Sequence, residues 1–158
     1  MPRVVARKLL ENIYKPGSAH WKLRRMHVLA PSCTEWRELK TARGRKRALV
    51  LTDVSYVIEA ELRVGAHEMI NHVAGWRAAL LSNHPPPHLG LSDFTARISE
   101  VVDGVHSTTG RSNSGTRELG WMLYDLEGTG RSRARYFKAL MIDGTIDLGA
   151  SSPPVLVS

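Results

Sequence analysis

VLTDVSYVIEAELRV, residues 50–64, is the stretch on which the fold turns. Val50, Val54, Tyr56, Ile58, Ala60, Leu62 and Val64 occupy even positions, while Asp53, Ser55, Glu59, Glu61 and Arg63 occupy odd ones. A period of two sends one row of side chains into a core and the other into water, the pattern of a half-buried strand. The run exceeds an ordinary strand in length, so a bend or bulge is expected near Asp53. Gly65 breaks it. Met69, Val73, Trp76 and Leu80 then recur at helical spacing, predicting a helix with a core-facing stripe that stops before Asn83-His84-Pro85-Pro86-Pro87.

On the N-terminal side, residues 3–14 place Val5, Leu9, Leu10 and Ile13 on one helical stripe, with Arg3, Arg7, Lys8 and Glu11 around the remainder. Pro16-Gly17 ends that helix. Trp21 to Leu29 alternates loosely between basic and apolar residues and reads as a strand ended by Pro31. RELKTARGRKR, residues 37–47, has no apolar period and reads as a mobile basic arm. On the C-terminal side, residues 88–102 have room for a strand, and Gly104 to Gly115 reads as a flexible loop. Two strands follow, Gly120 to Leu126 and Arg135 to Leu148, the second folded back at Asp143-Gly144, a two-residue hairpin signal. Strand and helix order together predict an α+β fold with helices on one face of an antiparallel sheet.

The 158 residues carry a net charge of +7, distributed unevenly. Residues 1–47 hold 13 Lys and Arg against 3 Asp and Glu, whereas residues 48–158 hold 9 against 12. Such a one-sided field attracts a polyanion and makes its binding salt-sensitive, because each neutralised phosphate releases counterions. One cysteine, Cys33, allows no internal disulfide and no zinc pattern. The charged N-terminal stretch is neither a signal-peptide core nor a membrane span, and a cytoplasmic location is expected.

Among seven histidines, His67 and His72 are five apart and diverge on a helix. His84 and His88 lie in a proline-rich segment without a carboxylate or cysteine set. No metal site and no cofactor is expected. Walker, GxGxxG and GxSxG motifs are absent, which removes nucleotide hydrolysis and serine-hydrolase chemistry. RNA cleavage by attack of a 2′-hydroxyl on its neighbouring phosphate needs neither. It needs a group that titrates near neutrality and a cation or phenol at the phosphate. His67, at the start of the second helix, and Tyr14, at the end of the first, stand at element edges where such sites are built.

Seven stretches in order, ARKLLENIYKP (6–16), WKLRRMHVLAP (21–31), DVSYVIEAEL (53–62), GAHEMI (65–70), HLGLSDF (88–94), RELGWMLYDL (117–126) and YFKALMIDGTID (136–147), resemble landmarks of a known family. That family is the CRISPR-associated Cas-five family of the RAMP superfamily, subtype I-C. The resemblance implies an RRM-like, ferredoxin-type core over residues 1–116, a C-terminal β-sheet element over 117–150 and a flexible tail over 151–158. It further implies a subunit that holds the 5′ handle of CRISPR RNA, docks on backbone and large subunits of a type I-C-like surveillance (Cascade) complex, and meets target DNA through that complex. No membrane partner is implied.

Subtype I-C members also cut precursor repeat RNA as metal-independent endoribonucleases, with a tyrosine after the first helix and a Lys-His pair opening the second. Tyr14 and His67 match that set, while Ala66 replaces the lysine; Ser92 likewise replaces an arginine of the family's LGCREF-like landmark. Family members carry a strand before the first helix, whereas this chain opens on the helix. The resemblance therefore implies a shortened core whose first strand comes from another chain, a rebuilt sheet, or a misassigned gene start. Lys15, Lys22, Arg24, Arg25, Arg43, Arg45, Lys46 and Arg47 are the expected phosphate contacts, with Trp21 or Trp36 stacking on bases and Trp76 and Trp121 packed in the core.

Overall fold

The first helix, α1 (Arg3–Ile13), forms where an apolar row meets good helix formers, and it buries Val4, Ala6, Leu9 and Leu10. The computed structural model describes residues 1–15, 17, 19–29, 33–41, 44–64, 69–82, 86–89, 93–101, 113–127, 133–149 and 155–156. After α1 come β1 (His20–Val28), β2 (Cys33–Thr41), β3 (Gly44–Thr52), β4 (Tyr56–Arg63) and α2 (Met69–Ser82). The C-terminal part supplies β5 (Thr116–Glu127), β6 (Arg133–Ile142), β7 (Thr145–Asp147) and β8 (Val155–Leu156). The fold is α+β, as the element pattern predicts. Among the described residues no helix is long and apolar enough to cross a membrane.

The main sheet runs β4-β1-β7-β6-β5, with β8 added on β6. All its pairings are antiparallel. β7 joins the N-terminal and C-terminal strands: Met26 of β1 pairs with Ile146, which also pairs with Met141 of β6. Asp143 and Gly144 take φ values of 48 and 75, so the hairpin anticipated at this dipeptide closes with two left-handed residues. Val155 and Leu156 pair with Tyr136 and Arg135, inside the segment expected to be a flexible tail.

The stretch 50–64 is not one bent strand. Asp53, at φ 54, turns the chain between β3 and β4, and the two halves enter different sheets. An aspartate tolerates this left-handed conformation better than most side chains. β4 keeps the anticipated inward row, with Tyr56, Ile58 and Ala60 packed against the core. The described residues of the stretch 37–47 do not form an unstructured arm either. β2 and β3 make a separate two-stranded ribbon in continuous register from Cys33↔Thr52 to Thr41↔Gly44. Most of the ribbon's side chains are exposed, so no buried row exists to write an alternating pattern into the sequence.

The core lies between α1 and the main sheet. It gathers Ala6 and Leu10, Leu23 and Met26 of β1, Phe137, Ala139 and Met141 of β6, Ile146 of β7, and Leu148. Burial of a side chain such as Phe137 or Leu23 contributes about 1.5–3 kcal/mol. Trp121, expected inside, is 60% exposed. The β5–β6 register shifts between Glu118 and Gly120, where Gly120 has φ 78, and beyond that bulge Trp121 lies opposite Lys138. An inserted residue re-aims every side chain after it.

Two arginines expected on the solvent side of α1 instead clamp it to β5. Arg3 Nε donates to Leu148 O at 3.2 Å, and its guanidinium lies 4.0 Å from the centre of the Tyr124 ring. Arg7 donates through both terminal nitrogens to Asp125, at 3.0 and 2.6 Å. Burial acts to raise the Asp125 pKa, but hydrogen bonds from Arg7 and the Leu126 N–H, with the charges of Arg7 and Arg3, leave it lowered. A carboxylate whose pKa is lower folded than unfolded contributes stability above the unfolded value and loses it as pH falls through the folded one. Asp125→Asn is expected to cost about 0.5–1 kcal/mol at neutral pH, because the pair is partly solvated, and nearly nothing in acid. Thermal melts from pH 7 down to pH 3 check this: the wild type and variant should converge on acidification.

Candidate functional site

Cations and one tryptophan meet on the ribbon. Directly paired residues share a face of an antiparallel ladder, so Trp36 and Leu49, Glu38 and Arg47, and Lys40 and Arg45 lie on one side. Trp36 is 61% exposed, and the Arg47 guanidinium stands 5.4 Å from its ring centre. Lys46 is exposed on the other side, and Arg45 pairs with Glu38 at 3.2 Å. Arg43 lies outside the described residues. The ribbon thus offers a flat aromatic face bordered by positive charge, which suits an unpaired base and its flanking phosphates.

The cations of β1 are placed differently. Arg24 Nε donates to Glu61 at 2.6 Å, and Arg25 lies 3.8 Å from Glu59, both acids on neighbouring β4. The Glu61 pKa is lowered, chiefly by the hydrogen bond from Arg24. These two expected phosphate contacts already hold carboxylates. Lys22, half-buried, sits across from Glu61 in the ladder, and Lys15 is exposed beside Tyr14. Trp21 is not a free stacking surface: it packs edge-on against Trp76, ring centres 4.9 Å apart, and donates its Nε1–H to Tyr14 O at 3.1 Å.

Tyr14 stands where α1 gives way to extended chain, and its hydroxyl is 2.8 Å from His72 Nδ1 on α2. The sequence pairs Tyr14 with His67, which lies outside the described residues. It gives His72 no role, although His72, Gly75, Trp76, Ala79 and Leu80 form the less exposed face of α2 and Val73 is 41% exposed. The core-facing stripe is therefore rotated from the anticipated one. A glycine inside a helix, three residues after a histidine, was the available signal of a close approach there. Among the described residues no three His, Cys, Asp or Glu side chains gather as a metal site.

A small α+β domain with a basic, tryptophan-bearing ribbon and a phenol–imidazole pair is the class of molecule these features define. No protein-family model matches the chain. Over 115 residues it is 28% identical to the CRISPR pre-crRNA endoribonuclease Cas5d of Mannheimia succiniciproducens, a match covering 67% of this chain and 51% of the relative. The chain thus spans about half the length of the curated relative it matches. Among solved structures it superposes on a CRISPR-associated protein with a TM-score of 0.78 at 16% identity, covering 94% of this chain and 79% of the other. A functionally uncharacterized protein from Streptococcus mutans gives 0.72 at 16% identity, with 94% and 80% covered. The structural likenesses show a shared fold, and the sequence similarity is to a protein named as a CRISPR pre-crRNA endoribonuclease.

Proposed function

We propose that this protein binds CRISPR RNA at its 5′ handle, as a subunit of a type I-C-like surveillance complex in antiviral defence. The observation that carries the reading is the ribbon, where the exposed Trp36 shares a face with Arg47 and Arg45, and Lys46 adds a cation on the other side. Single-stranded RNA is held by such pairings of aromatic faces with cations along the backbone. Backbone and large subunits of the complex are the protein partners in this reading, and target DNA is reached through them.

A second reading has its own support: metal-independent endonuclease action on precursor CRISPR RNA. The relative from Mannheimia succiniciproducens is named for that activity. Tyr14, the tyrosine expected in the reaction, is held in place with its hydroxyl on an imidazole.

Fluorescence anisotropy with a labelled repeat-derived handle RNA tests the binding reading. The logarithm of affinity should fall linearly with the logarithm of salt concentration between 50 and 200 mM, and a scrambled RNA of equal length should bind at least about 10-fold more weakly. Equal affinity for both RNAs, or binding indifferent to salt, would exclude handle recognition.

A further inference from the structure

Four independent contacts fix Tyr14. Its backbone N–H donates to Leu10 O at 2.9 Å and closes the last turn of α1, and its carbonyl accepts the Trp21 indole N–H. Its ring lies against Gly75 of α2 so closely that a Cβ there would stand 2.9 Å from Tyr14 Cε2 and Oη and 3.1 Å from Cζ. Its hydroxyl meets His72 Nδ1 at 2.8 Å, with the rings edge to face at 72° and centres 6.0 Å apart. Glycine is disfavoured in a helix interior relative to alanine, and here it makes room for the phenol.

A tyrosine hydroxyl has one hydrogen. When the His72 ring carries its proton on Nε2, that one hydrogen is directed at Nδ1, and the phenolic oxygen faces any further group as an acceptor. We propose that His72 acts through Tyr14 as a positioning residue that takes the phenolic proton while Tyr14 oxygen takes the proton of a ribose 2′-hydroxyl. This proposal rests on the cleavage reading above.

In the step, the 2′-oxygen gives its proton to Tyr14 Oη, and the former Tyr14 proton moves to His72 Nδ1. The 2′-oxygen forms its bond to phosphorus, the bond from phosphorus to the 5′-oxygen breaks, and the leaving 5′-oxygen takes a proton from water. The hydroxide so formed removes the proton from the His72 imidazolium. The products are a 2′,3′-cyclic phosphate and a 5′-hydroxyl, and no net proton is consumed. A histidine is suited to the receiving position because its ring exchanges protons near neutrality.

His72→Asn separates proton transfer from placement, since an Asn side chain offers a hydrogen-bonding atom near the position of Nδ1 but accepts no proton. Single-turnover cleavage of the repeat RNA, in EDTA, should be about 10²- to 10³-fold slower in His72→Asn and in Tyr14→Phe, with RNA affinity unchanged within about twofold. The double variant should be no slower than the slower single one, because the two groups act as a unit. Gly75→Ala, which leaves both groups intact and displaces the ring, should also slow cleavage. If the wild type cuts, Tyr14→Phe is slow and His72→Asn cuts at the wild-type rate, the relay is wrong and the cleavage reading stands. A wild-type chain that leaves the repeat RNA intact removes the cleavage reading and the relay together.

Discussion

Phe137→Ala is expected to destabilise the protein by about 3–5 kcal/mol, the range for emptying a buried aromatic site. Domains of this size are stable by only about 5–15 kcal/mol in total, so the variant should sit near its unfolding threshold. Phe137 is 1% exposed and belongs to the cluster with Leu23, Met26 and Ile146, where β1, β6 and β7 meet. Its ring meets Tyr124 edge to face, centres 5.9 Å apart, and Tyr124 carries the Arg3 guanidinium on its own ring. Losing Phe137 thus removes the backing from Tyr124, the β5 ring on which one of the two clamping arginines rests. Urea denaturation should show a lower midpoint with an unchanged slope. Trp121→Ala is the matched control: on the opposite face of the sheet and 60% exposed, it should change stability by no more than about 0.5 kcal/mol. A Trp121→Ala cost equal to that of Phe137→Ala would contradict the assignment of inner and outer faces.

That contrast marks where the sequence is legible. Alternation in Tyr56–Ala60 is written by the packing of one row, partly buried, against the core, and Asp143-Gly144 is written by the left-handed conformations its turn requires. Both signals are local. Trp121 is misread because the bulge at Gly120 shifts the parity of β5, and a single glycine gives no sign of which register a partner strand will choose. Arg24 and Arg25 read as free cations, yet their partners Glu61 and Glu59 lie on a strand whose register with β1 is a tertiary outcome. The candidate site shows the same division. Tyr14 is legible through resemblance and its place after α1, whereas its contact with His72 bridges 58 positions and depends on how α1 and α2 pack.

Replacing Arg45, Lys46 and Arg47 together by Gln is expected to weaken RNA binding by roughly 10²-fold at 0.1 M salt. Each phosphate contact on a single strand contributes about 0.7 to the slope of log affinity against log salt, so three contacts give about 2.1 and two give about 1.4. Arg45 is the discounted member, because it must leave Glu38 to reach a phosphate. The slope should therefore flatten by about 1.4–2.1. Trp36→Ala should behave otherwise: loss of one stacked base costs about 1–3 kcal/mol and leaves the slope unchanged, since stacking releases no counterion. Neither change should alter the melting temperature appreciably, as these side chains are exposed on a ribbon that, among the described residues, pairs only with itself. Arg24→Gln with Arg25→Gln is the discriminating comparison. Glu61 and Glu59 already hold those two arginines, so a phosphate gains less there than at the ribbon. A larger loss of affinity from the β1 pair than from the ribbon triple would move the RNA off the ribbon and onto the open face of β1 and β4.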